Sequence, residues 1–576
     1  MDGSSASSQK VSAKYVVLSD TTLWYSYRDF PLLDFLPCAP TNTIPDFVYR
    51  LLRGPAPAAL PDGRALYAPY SIRLLESALL QRYQEDQVVV PHQDYIENFI
   101  GSDTEIVAVG TMDPLGYGPL TMSFTTLFNN YYPYVRKEFE RLILRITKCL
   151  KRKGNKKARI LVGGPGVWEF TISPEELDRL GISFAFQGEA DDIVCDLFGW
   201  LSEGVALEAH ESLFPGFYTF DSNFHKSWIT NKKFITRGAF SRQAPKLEQI
   251  PEIRRPSMKS LVEVMRGCGI GCDFCEVTLR PLRYYPPERV AREVEINVRL
   301  GGFRNAWLQT DEVFAYMHGK NFEPNQEALI SLFKAVMSVR GVESTNPTHG
   351  RISIPSAYPD LIRNLSQIAK ASPSNWIGIQ VGIETGSDRL AKIHMPNKTL
   401  PLKIGQDGSW AEIVWRGTYV LNKYYWRPAF TVQVGQPGET PEDNWETVAL
   451  INWLSNSSLD DGRPFEFTVT PMQNVPLGRL KSRNLTANML DESQLAVYYA
   501  SYRHLAKMAS RNAMRDSGGN PLVRLATAAA ISFGGKLMFQ TIKTICKQRG
   551  IDVDKVNVHG LDRKLSQPRL LNPRLS

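Results

Sequence analysis

The first 245 residues alternate short apolar runs with segments whose apolar residues recur at helical spacing. Residues 71–83 (SIRLLESALLQRY) and 136–150 (RKEFERLILRITKCL) have the spacing of helices. The apolar runs that predict strands lie at residues 14–19, 87–91, 104–110, 158–164 and 182–188. Short apolar strands separated by helices favour a parallel sheet covered on both faces. The pattern predicts an open, doubly wound, Rossmann-like α/β domain over residues 1–245, ending in an aromatic-rich connector.

A second alternating region runs from about residue 255 to 480, and its helix candidates include residues 287–300 (PERVAREVEINVRL). Six strand candidates lie at residues 261–265, 306–311, 350–355, 376–384, 429–435 and 466–472. Strands joined by crossover helices predict a partial or full (β/α) TIM barrel, with its chemistry at the carboxyl ends of the strands. From residue 485 to 576 the pattern predicts a helical C-terminal region.

Loops rich in glycine and acidic residues follow three of the first-domain strands. They read TMDPLGYGP, GGPG and QGEADD. Ligands of open α/β sheets bind beyond the carboxyl ends of the strands, and glycine lets the backbone approach a flat ligand closely. Tight strand-to-helix turns are the alternative explanation. The candidate ligand-binding residues in these loops are Asp113, Gly163, Gly164, Gly188 and Glu189.

Composition and charge restrict the classes of protein. The chain has 576 residues, 43% of them hydrophobic and 22% charged, with a net charge of +8. These values are ordinary for a soluble protein, and the basic run KRKGNKKAR is interpreted as a solvated loop. The N-terminus lacks a secretory apolar core, and no window matches the roughly 20 apolar residues of a membrane span. Seven cysteines, four of them scattered, favour a reducing cytoplasm over a disulfide framework.

Three of the seven cysteines are crowded together. Cys268, Cys272 and Cys275 form a C-x3-C-x2-C pattern directly after the first strand of the second region. A four-thiolate zinc site needs a second C-x2-C pair, which the chain lacks, and a redox pair leaves Cys268 unexplained. Three thiolates instead suit three irons of a [4Fe–4S] cluster, leaving the fourth iron open. Neighbouring glycines permit the tight loop, and Phe274 is placed to shield the cluster from water.

This cysteine motif after the first strand of a (β/α) barrel resembles the radical S-adenosylmethionine (SAM) superfamily. VGIETGS at residues 381–387 resembles the G-x-E-S/T-G-S element of its cobalamin-dependent and methylthiotransferase-like members. GQPGET at residues 435–440 and TPMQNVPLG at residues 470–478 resemble their later turn and closing segment. The resemblance implies that the amino and carboxylate groups of SAM bind the open iron. One electron then cleaves the sulfonium, and the resulting 5′-deoxyadenosyl radical takes a hydrogen atom from an unactivated carbon.

The resemblance also implies positions for SAM. Glu384 and the strand end around Gly382 are expected to contact it. Gln309, Asp311 and Gln433 lie at neighbouring predicted strand ends, which makes them candidates for binding its ribose or methionine parts. An electron donor such as a ferredoxin or flavodoxin is implied as a partner.

The first region resembles the cobalamin-binding half found upstream of many radical SAM barrels. The segments that carry this likeness are ILVGGPGVWEF and ISFAFQGEADDIVCDLFGWL. The Asp-x-His-x-x-Gly motif that supplies an axial histidine elsewhere is missing, as in members that bind cobalamin without one. The resemblance implies a cobalamin-dependent enzyme, with C-methylation of a peptide, protein or lipid as the leading interpretation; ring formation and rearrangement stay open.

Three other interpretations stay open. A tRNA methylthiotransferase shares the barrel but normally carries three more cluster cysteines, whereas Cys38, Cys149 and Cys195 are far apart. A non-catalytic iron–sulfur or zinc module is the second, and an enzyme that uses SAM alone is the third. No nucleic-acid partner is expected. The apolar and basic stretch NPLVRLATAAAISFGGKLMFQTIKTICKQRG fits either a core-packing helix or a peripheral membrane contact.

Overall fold

The computed structural model describes residues 12–27, 31–128, 132–205, 233–236, 244–477, 490–516 and 520–561. The strands in these ranges are β1 Tyr15–Ser19, β2 Val88–Val89, β3 Ile106–Gly110, β4 Arg159–Gly163, β5 Phe184–Gln187, β6 Phe234–Thr236, β7 Leu261–Glu263, β8 Met265–Arg266, β9 Arg283–Tyr284, β10 Asn305–Gln309, β11 Ser344–Pro347, β12 Ile377–Glu384, β13 Trp426–Val434 and β14 Thr468–Gln473.

The α-helices in the same ranges are α1 Asp46–Arg53, α2 Tyr70–Leu79, α3 Ile96–Phe99, α4 Pro119–Leu127, α5 Tyr134–Arg152, α6 Glu175–Leu180, α7 Val194–Glu203, α8 Pro287–Gly301, α9 Gln326–Met337, α10 Ser353–Ala357, α11 Pro359–Ile368, α12 Asp388–His394, α13 Trp410–Lys423, α14 Pro441–Ser455, α15 Glu492–Asp516, α16 Pro521–Gln548 and α17 Val553–Val558.

The chain forms two compact units. The first comprises residues 1–26, 55–117 and 134–258, and the second comprises residues 27–54, 118–133 and 259–576. Two segments of the N-terminal half, Tyr27–Gly54 and Gly118–Pro133, thus belong to the second unit. The predicted domain limits of 1–245, 255–480 and 485–576 stay predictions.

The first unit contains one six-stranded parallel sheet in the order β2-β1-β3-β4-β5-β6. Apolar residues of α5 recur at helical spacing, at Phe139, Leu142, Ile143 and Ile146, and all four are buried in the core with the sheet. The parallel α/β fold predicted from the sequence is confirmed. β6 adds a strand in the connector, which the sequence pattern did not reveal. Since β1 pairs with both β2 and β3, chain order reverses there, and ligands of open α/β sheets bind at the carboxyl ends of the strands at such a point.

The second unit holds two parallel three-stranded sheets, β11-β10-β7 and β12-β13-β14. An isolated parallel bridge between His349 and Gln380 joins the first sheet to the second. The six strands therefore follow one another in chain order around a partial barrel. Helices of the βα units lie between them, with α8 after the β8–β9 pair, α9 after β10, and α13 before β13. The predicted barrel class agrees with this arrangement.

One strand prediction in the barrel is wrong. Residues 350–355 (GRISIP) were expected to form a strand, but their end lies in helix α10, and the strand is the polar segment β11 before them. Ile352 packs so closely on α13 that a Cβ on Gly417 would meet it at 2.6 Å. The alternating isoleucines therefore fill the space under a helix. In β11, the polar Thr345 stays buried because its hydroxyl donates to the carbonyl of Ala306.

Helix α16 corrects the expectation about membrane-length segments. It is 28 residues long, and an 18-residue window within it has a mean hydropathy of 1.3 with 11% of the window buried. By length and composition alone it is able to cross a membrane. The sequence count missed this because threonine, serine and glycine interrupt the apolar run. Because so little of this window is buried, α16 is also not a core helix of the second unit.

A substitution at Gly164 tests whether the strand-end loops of the first unit are closely packed. Its φ is +95°, and a Cβ there would lie 2.6 Å from the carbonyl oxygen of Thr111. We expect Gly164→Ala to lower the free energy of unfolding by about 1–3 kcal/mol because strain and a clash combine. Gly163→Ala is the matched control, since its Cβ would meet only the Phe186 carbonyl at 3.9 Å. Urea unfolding followed by circular dichroism measures both, and equal losses would contradict the packing described.

Candidate active site

The three clustered cysteines lie on one loop between β8 and β9. These two short strands pair in antiparallel fashion and close the base of the loop. Cys268 and Cys272 are buried, and Cys275 is partly buried. None of the three is in a disulfide. The loop therefore presents three free thiols just beyond the carboxyl end of the first barrel strand.

Left-handed backbone positions give the loop its tight path. Gly267, Gly269 and Gly271 have φ values of +75°, +67° and +90°. At Gly267 a Cβ would also lie 2.5 Å from the carbonyl oxygen of Arg280. Glycine is required there because other residues add both steric strain and a clash with backbone. The glycine spacing noted in the sequence thus has a backbone cause.

Side chains from outside and inside the loop fix its amide groups. The Gly267 N–H donates to Asp311 Oδ2 at 2.6 Å, and the Gly271 N–H donates to Thr278 Oγ1 at 2.6 Å. Asp311 is thus tied to the cysteine loop at the end of β10. Burial raises the pKa of Asp311, while Arg280 and the Gly267 N–H oppose the rise.

Residues after β12 hold the other side of the loop. Asn397 Nδ2 donates to the Ile270 carbonyl at 2.9 Å. His394 is buried, with Nδ1 2.8 Å from Asp273 Oδ2 and Nε2 2.9 Å from the Pro437 carbonyl. His394 therefore links the cysteine loop to the GQPGET turn. The sequence did not single out His394 or Asn397, because each lies more than 120 positions from the residue that it contacts in the cysteine loop.

Burial of the three thiols affects how they bind a metal. Burial raises the pKa of Cys268 and Cys272 to about 12, and it also raises the pKa of Cys275. A metal that binds these thiols has to displace their protons. Within the described ranges, no three His, Cys, Asp or Glu side chains converge closely enough for one ion. A [4Fe–4S] cluster takes one thiolate per iron, so its ligands do not have to converge on one point.

A buried ion pair lies beside the thiols. Lys398 Nζ is 2.8 Å from Glu384 Oε1, and both side chains are largely buried. Burial lowers the pKa of Lys398, but the charges of Glu384 and Cys272 outweigh it and raise the pKa overall. Lys398 Nζ also lies 5.9 Å from the ring centre of Phe274, within cation–π range. The predicted Glu384 and Phe274 thus lie near one another, joined by a lysine that the sequence did not reveal.

The backbone at the end of β12 is strained around this pair. Glu384 has a φ of +60°, and the pairing of β12 with β13 shifts register between Gly382 and Glu384. A Cβ on Gly382 would lie 1.9 Å from Glu384 Oε1 and 2.5 Å from Lys398 Nζ. The buried Trp410 indole donates to the carbonyls of Ile383 and Thr385 on either side of Glu384. Gly382 therefore leaves the room in which the ion pair sits.

The other predicted strand-end residues have distinct positions. Gln433 Nε2 donates to Glu384 Oε2 at 3.2 Å, and Asn474 Nδ2 donates to Gln433 Oε1 at 2.9 Å. The structure thus joins Gln433 to Glu384 in one chain of hydrogen bonds. Gln309 ends β10, and its carbonyl accepts from the Val264 N–H at 2.9 Å. Their roles toward SAM stay predictions.

A buried arginine was missed by sequence reasoning. Arg351 is 1% exposed; its Nη2 donates to the Phe322 carbonyl, and its Nη1 lies 3.4 Å from Glu312 Oε2. Among the described residues, its Nε and Nη1 make no hydrogen bond. Burial lowers the pKa of Arg351, while the charges of Glu312, Cys268 and Cys272 act in the opposite direction. The thiol region therefore has a second cation with unused donors, suited to an anionic group.

The remaining motif residues hold the strand ends in place. Ser387 donates to Asp443 Oδ1 at 2.6 Å, and Thr440 donates to Asp443 Oδ2 at 2.9 Å. The carboxylate of Glu439 accepts from the Gly435 N–H at 2.9 Å, which closes the GQPGET turn. These contacts join the end of β12 to the start of α14, so Ser387, Glu439 and Thr440 have structural contacts here.

The strand ends of the first unit carry buried acids. Asp113, predicted as a ligand-binding residue, is 8% exposed. Burial raises the pKa of Asp20 at the end of β1 to about 7, and the nearby Asp113 charge adds to the rise. Burial also raises the pKa of Glu169 well above its usual range, and Asp113 adds to this rise as well. The sequence pattern identified only Asp113 of the three.

The strand-end glycines leave one edge of this sheet open. A Cβ on Gly163 would find only the Phe186 carbonyl, 3.9 Å away, and Gly188 is exposed with a φ of +117°. Gly164 instead packs against Thr111, as described above. Glu189 is partly buried and has a polar or electrostatic contact. Gly163 and Gly188 therefore leave backbone that a flat ligand is able to approach at this edge.

Comparison with known proteins identifies part of the second unit. Residues 262–451 match the model of the Radical SAM superfamily. This part of the chain is therefore a radical SAM domain, a class that uses a [4Fe–4S] cluster and SAM.

Curated relatives with significant similarity include two tRNA-2-methylthio-N(6)-dimethylallyladenosine synthases. That of Sulfurihydrogenibium sp. is 28% identical over 239 residues, covering 41% of this chain and 48% of the relative. That of Hydrogenovibrio crunogenus is 25% identical over 313 residues, covering 50% and 60%. The matched region thus spans about half the length of these relatives. A solved radical S-adenosylmethionine methyltransferase, TsrM from Kitasatospora setae, aligns with a TM-score of 0.48 and 14% identity, covering 80% of this chain and 73% of that one.

Asp311 gives a test of the cysteine loop. We expect Asp311→Ala to weaken iron retention about tenfold or more, because the Gly267 N–H loses its acceptor. Asp311→Asn should be milder, since its amide oxygen still accepts. Iron content after anaerobic reconstitution and gel filtration measures the effect. Normal iron content with weakened SAM binding would instead favour the ligand role predicted for Asp311 from the sequence.

Gly382 gives a separate test of the ion pair. Gly382→Ala should displace Glu384 and Lys398 and weaken SAM binding about tenfold, the equivalent of one charge-assisted hydrogen bond. Iron content should not change. Gly378→Ala is the matched control on the same strand, because its Cβ would meet no atom within 4 Å. Equilibrium dialysis with labelled SAM measures both variants, and identical affinities would rule out a SAM site at this pair.

Proposed function

We propose that the chain is a cobalamin-dependent radical SAM enzyme that functionalises an unactivated carbon. The observation that supports this most strongly is the cysteine loop, with two buried thiols and one partly buried thiol beside the Glu384–Lys398 pair. The radical SAM match over residues 262–451 covers all of these elements. C-methylation of a peptide, protein or lipid is the proposed outcome.

The chain's own residues have separable tasks in this proposal. Cys268, Cys272 and Cys275 hold the cluster, which when bound supplies the electron that cleaves SAM. Asp311, Thr278, Asn397 and His394 keep the loop in shape.

Two cations lie near the position proposed for SAM. Lys398 is held by Glu384; Arg351 is paired with Glu312, and its Nε, which has no hydrogen bond among the described residues, is the donor left for an anion such as the SAM carboxylate. Glu384 and Gln433 form the polar wall at the neighbouring strand ends. Burial of these groups keeps water from the reacting atoms.

The first unit supports the cobalamin part of the proposal. Its crevice falls at the carboxyl ends of β1 and β3, where the order of the sheet reverses. Gly163 and Gly188 leave room for a flat ligand to approach the backbone. Asp113 is buried in the loop that follows β3. Bound cobalamin would supply the methyl group. Ring formation or rearrangement on the same domains is the alternative outcome.

A tRNA methylthiotransferase activity is the second candidate, favoured by the curated relatives. It would need further cluster ligands from the N-terminal half. Cys149 lies in the core with α5 and the sheet, and the Cys195 thiol donates to the Ala78 carbonyl at 3.2 Å. Cys38 lies at the end of the 3-10 helix Pro31–Cys38 in the second unit. Each cysteine has its own local surroundings, which weighs against a second cluster.

Partners and compartment follow from the same chemistry. The reaction needs a low-potential electron donor, for which we propose a ferredoxin or flavodoxin. Free thiols in the cysteine loop suit a reducing cytoplasm. No nucleic acid is required by the proposed methylation.

Anaerobic incubation of reconstituted protein with SAM and a reductant tests the proposal. We expect release of 5′-deoxyadenosine that is lost in Cys272→Ala, because the cluster loses a ligand. Cys38→Ala is the control: it should keep full iron content and activity, whereas a methylthiotransferase with a second cluster would lose iron. Cobalamin retained by the purified protein supports the cofactor assignment. Less than four irons per chain after reconstitution, or no cobalamin binding, would each overturn its part of the proposal.

A further inference from the structure

Helix α16 exposes a stripe of large apolar side chains. Leu522, Leu525, Phe533 and Leu537 expose 80%, 57%, 71% and 58% of their surface. They recur at three-, four- and eight-residue intervals, so they share one side of the helix. Single exposed apolar residues are common, but a row along one helix is characteristic of an interaction surface. We call these four residues the apolar stripe.

The other side of α16 is already packed against α15. Ala528 and Ile531 are buried in a cluster with Ala509 and Ala513 of α15. Further along, Ile542 and Cys546 are fully buried. The helix is therefore anchored at Ala528, Ile531, Ile542 and Cys546, whereas the apolar stripe faces outward.

The charges on α16 are all of one sign. Between Pro521 and Gln548 the chain has no Asp or Glu, and its four charged residues are Arg524, Lys536, Lys543 and Lys547. Arg524 Nη2 donates to the Met514 carbonyl, which places this cation beside Met514, itself 49% exposed. Exposed apolar residues flanked by cations only are complementary to a bilayer surface with anionic headgroups.

Two features favour a surface position over a membrane span. Spanning would require α16 to leave α15 and expose Ile531, Ile542 and Cys546, which are now buried. It would also place Lys536, in the middle of the helix, in the hydrocarbon core. A helix lying in the interface keeps both the packed face and the solvated lysines.

We propose that α16 docks the second unit on the surface of an anionic bilayer through the apolar stripe. The occupant is the lipid surface itself, with acyl chains against the stripe and headgroup phosphates against the cations. The proposed redox chemistry is not needed for docking, so each is tested without the other.

The contacts of α15 and α16 orient the stripe relative to the barrel. Helix α15 runs antiparallel to β14, because Ser493 at its start bonds Asn444 after the GQPGET turn, while Asn512 near its end bonds Glu466 before β14. Helix α16 runs back along α15, because Ser532 bonds Ser510 and the ring of Phe539 contacts Tyr499. The stripe therefore runs along the side of the barrel, and docking places that side on the lipid.

Vesicle co-sedimentation of the full-length protein tests docking. We expect binding to vesicles of phosphatidylcholine with phosphatidylglycerol, little binding to phosphatidylcholine alone, and weakening by salt because the phosphates are screened. Phe533→Asp with Leu537→Asp should reduce binding about tenfold or more. Leu144→Asp is the matched control, because this leucine is 52% exposed on α5 in the other unit. Release of 5′-deoxyadenosine should be equal in all variants.

Further measurements keep the outcome decisive. Lys536→Glu with Lys547→Glu provides a second variant if the aspartates prevent folding, and it should remove the preference for anionic vesicles. Absence of vesicle binding at low salt, or binding unchanged by both pairs, overturns the proposal. Resistance to extraction by alkaline carbonate would show a membrane span instead. A dimer in light scattering that Phe533→Asp dissociates, without vesicle binding, would assign the stripe to a second copy of the chain.

Discussion

The structure of the second unit depends on keeping three thiols, two buried and one partly buried, on one tight loop. A loop with three left-handed glycines has few backbone hydrogen bonds of its own, so side chains must satisfy its polar groups. Asp311, Thr278 and Asn397 each pair with one backbone group of the loop. Asp311 follows β10, Thr278 lies within the loop, and Asn397 lies beyond β12. The shape of the loop therefore depends on the barrel, since residues after two of its strands bind the loop backbone.

The second constraint is electrostatic. Thiolates, Glu384 and Glu312 bring negative charge into a buried region, and Lys398 and Arg351 balance it. A buried ion pair is favourable only when good geometry offsets desolvation. The positive φ of Glu384, the absent side chain at Gly382 and the Trp410 indole together fix that geometry. Backbone strain at the end of β12 is thus tied to the placement of charge next to the thiols.

Sequence patterns predicted the parts of this molecule that depend on local spacing. The cysteine motif, the parallel α/β class and five of the six barrel strands could be read directly. Asp311 was placed near the site, but its contact with Gly267 could not be foreseen, because residue type does not reveal a partner 44 positions away. Lys398, Arg351 and His394 were missed for the same reason. Residues 350–355 were wrongly predicted to form a strand because their isoleucines alternate with polar residues. Buried isoleucines that pack under a helix give the same alternation as isoleucines in a strand.

Helix α4, which comes from the N-terminal half of the chain, packs on the last barrel strand of the second unit. Ser123 accepts the Gln473 N–H at 2.8 Å, and Thr126 donates to the Gln473 side chain at 2.5 Å, so α4 caps the last barrel strand. A gene fragment that starts at residue 259 would encode all six barrel strands and every cluster cysteine. Such a fragment would lack α4, so one side of β14 would be exposed. The N–H and the side chain of Gln473 would lose the partners that α4 provides. We therefore expect that residues 259–576 alone do not fold as an autonomous module, because a helix that this unit needs lies earlier in the chain.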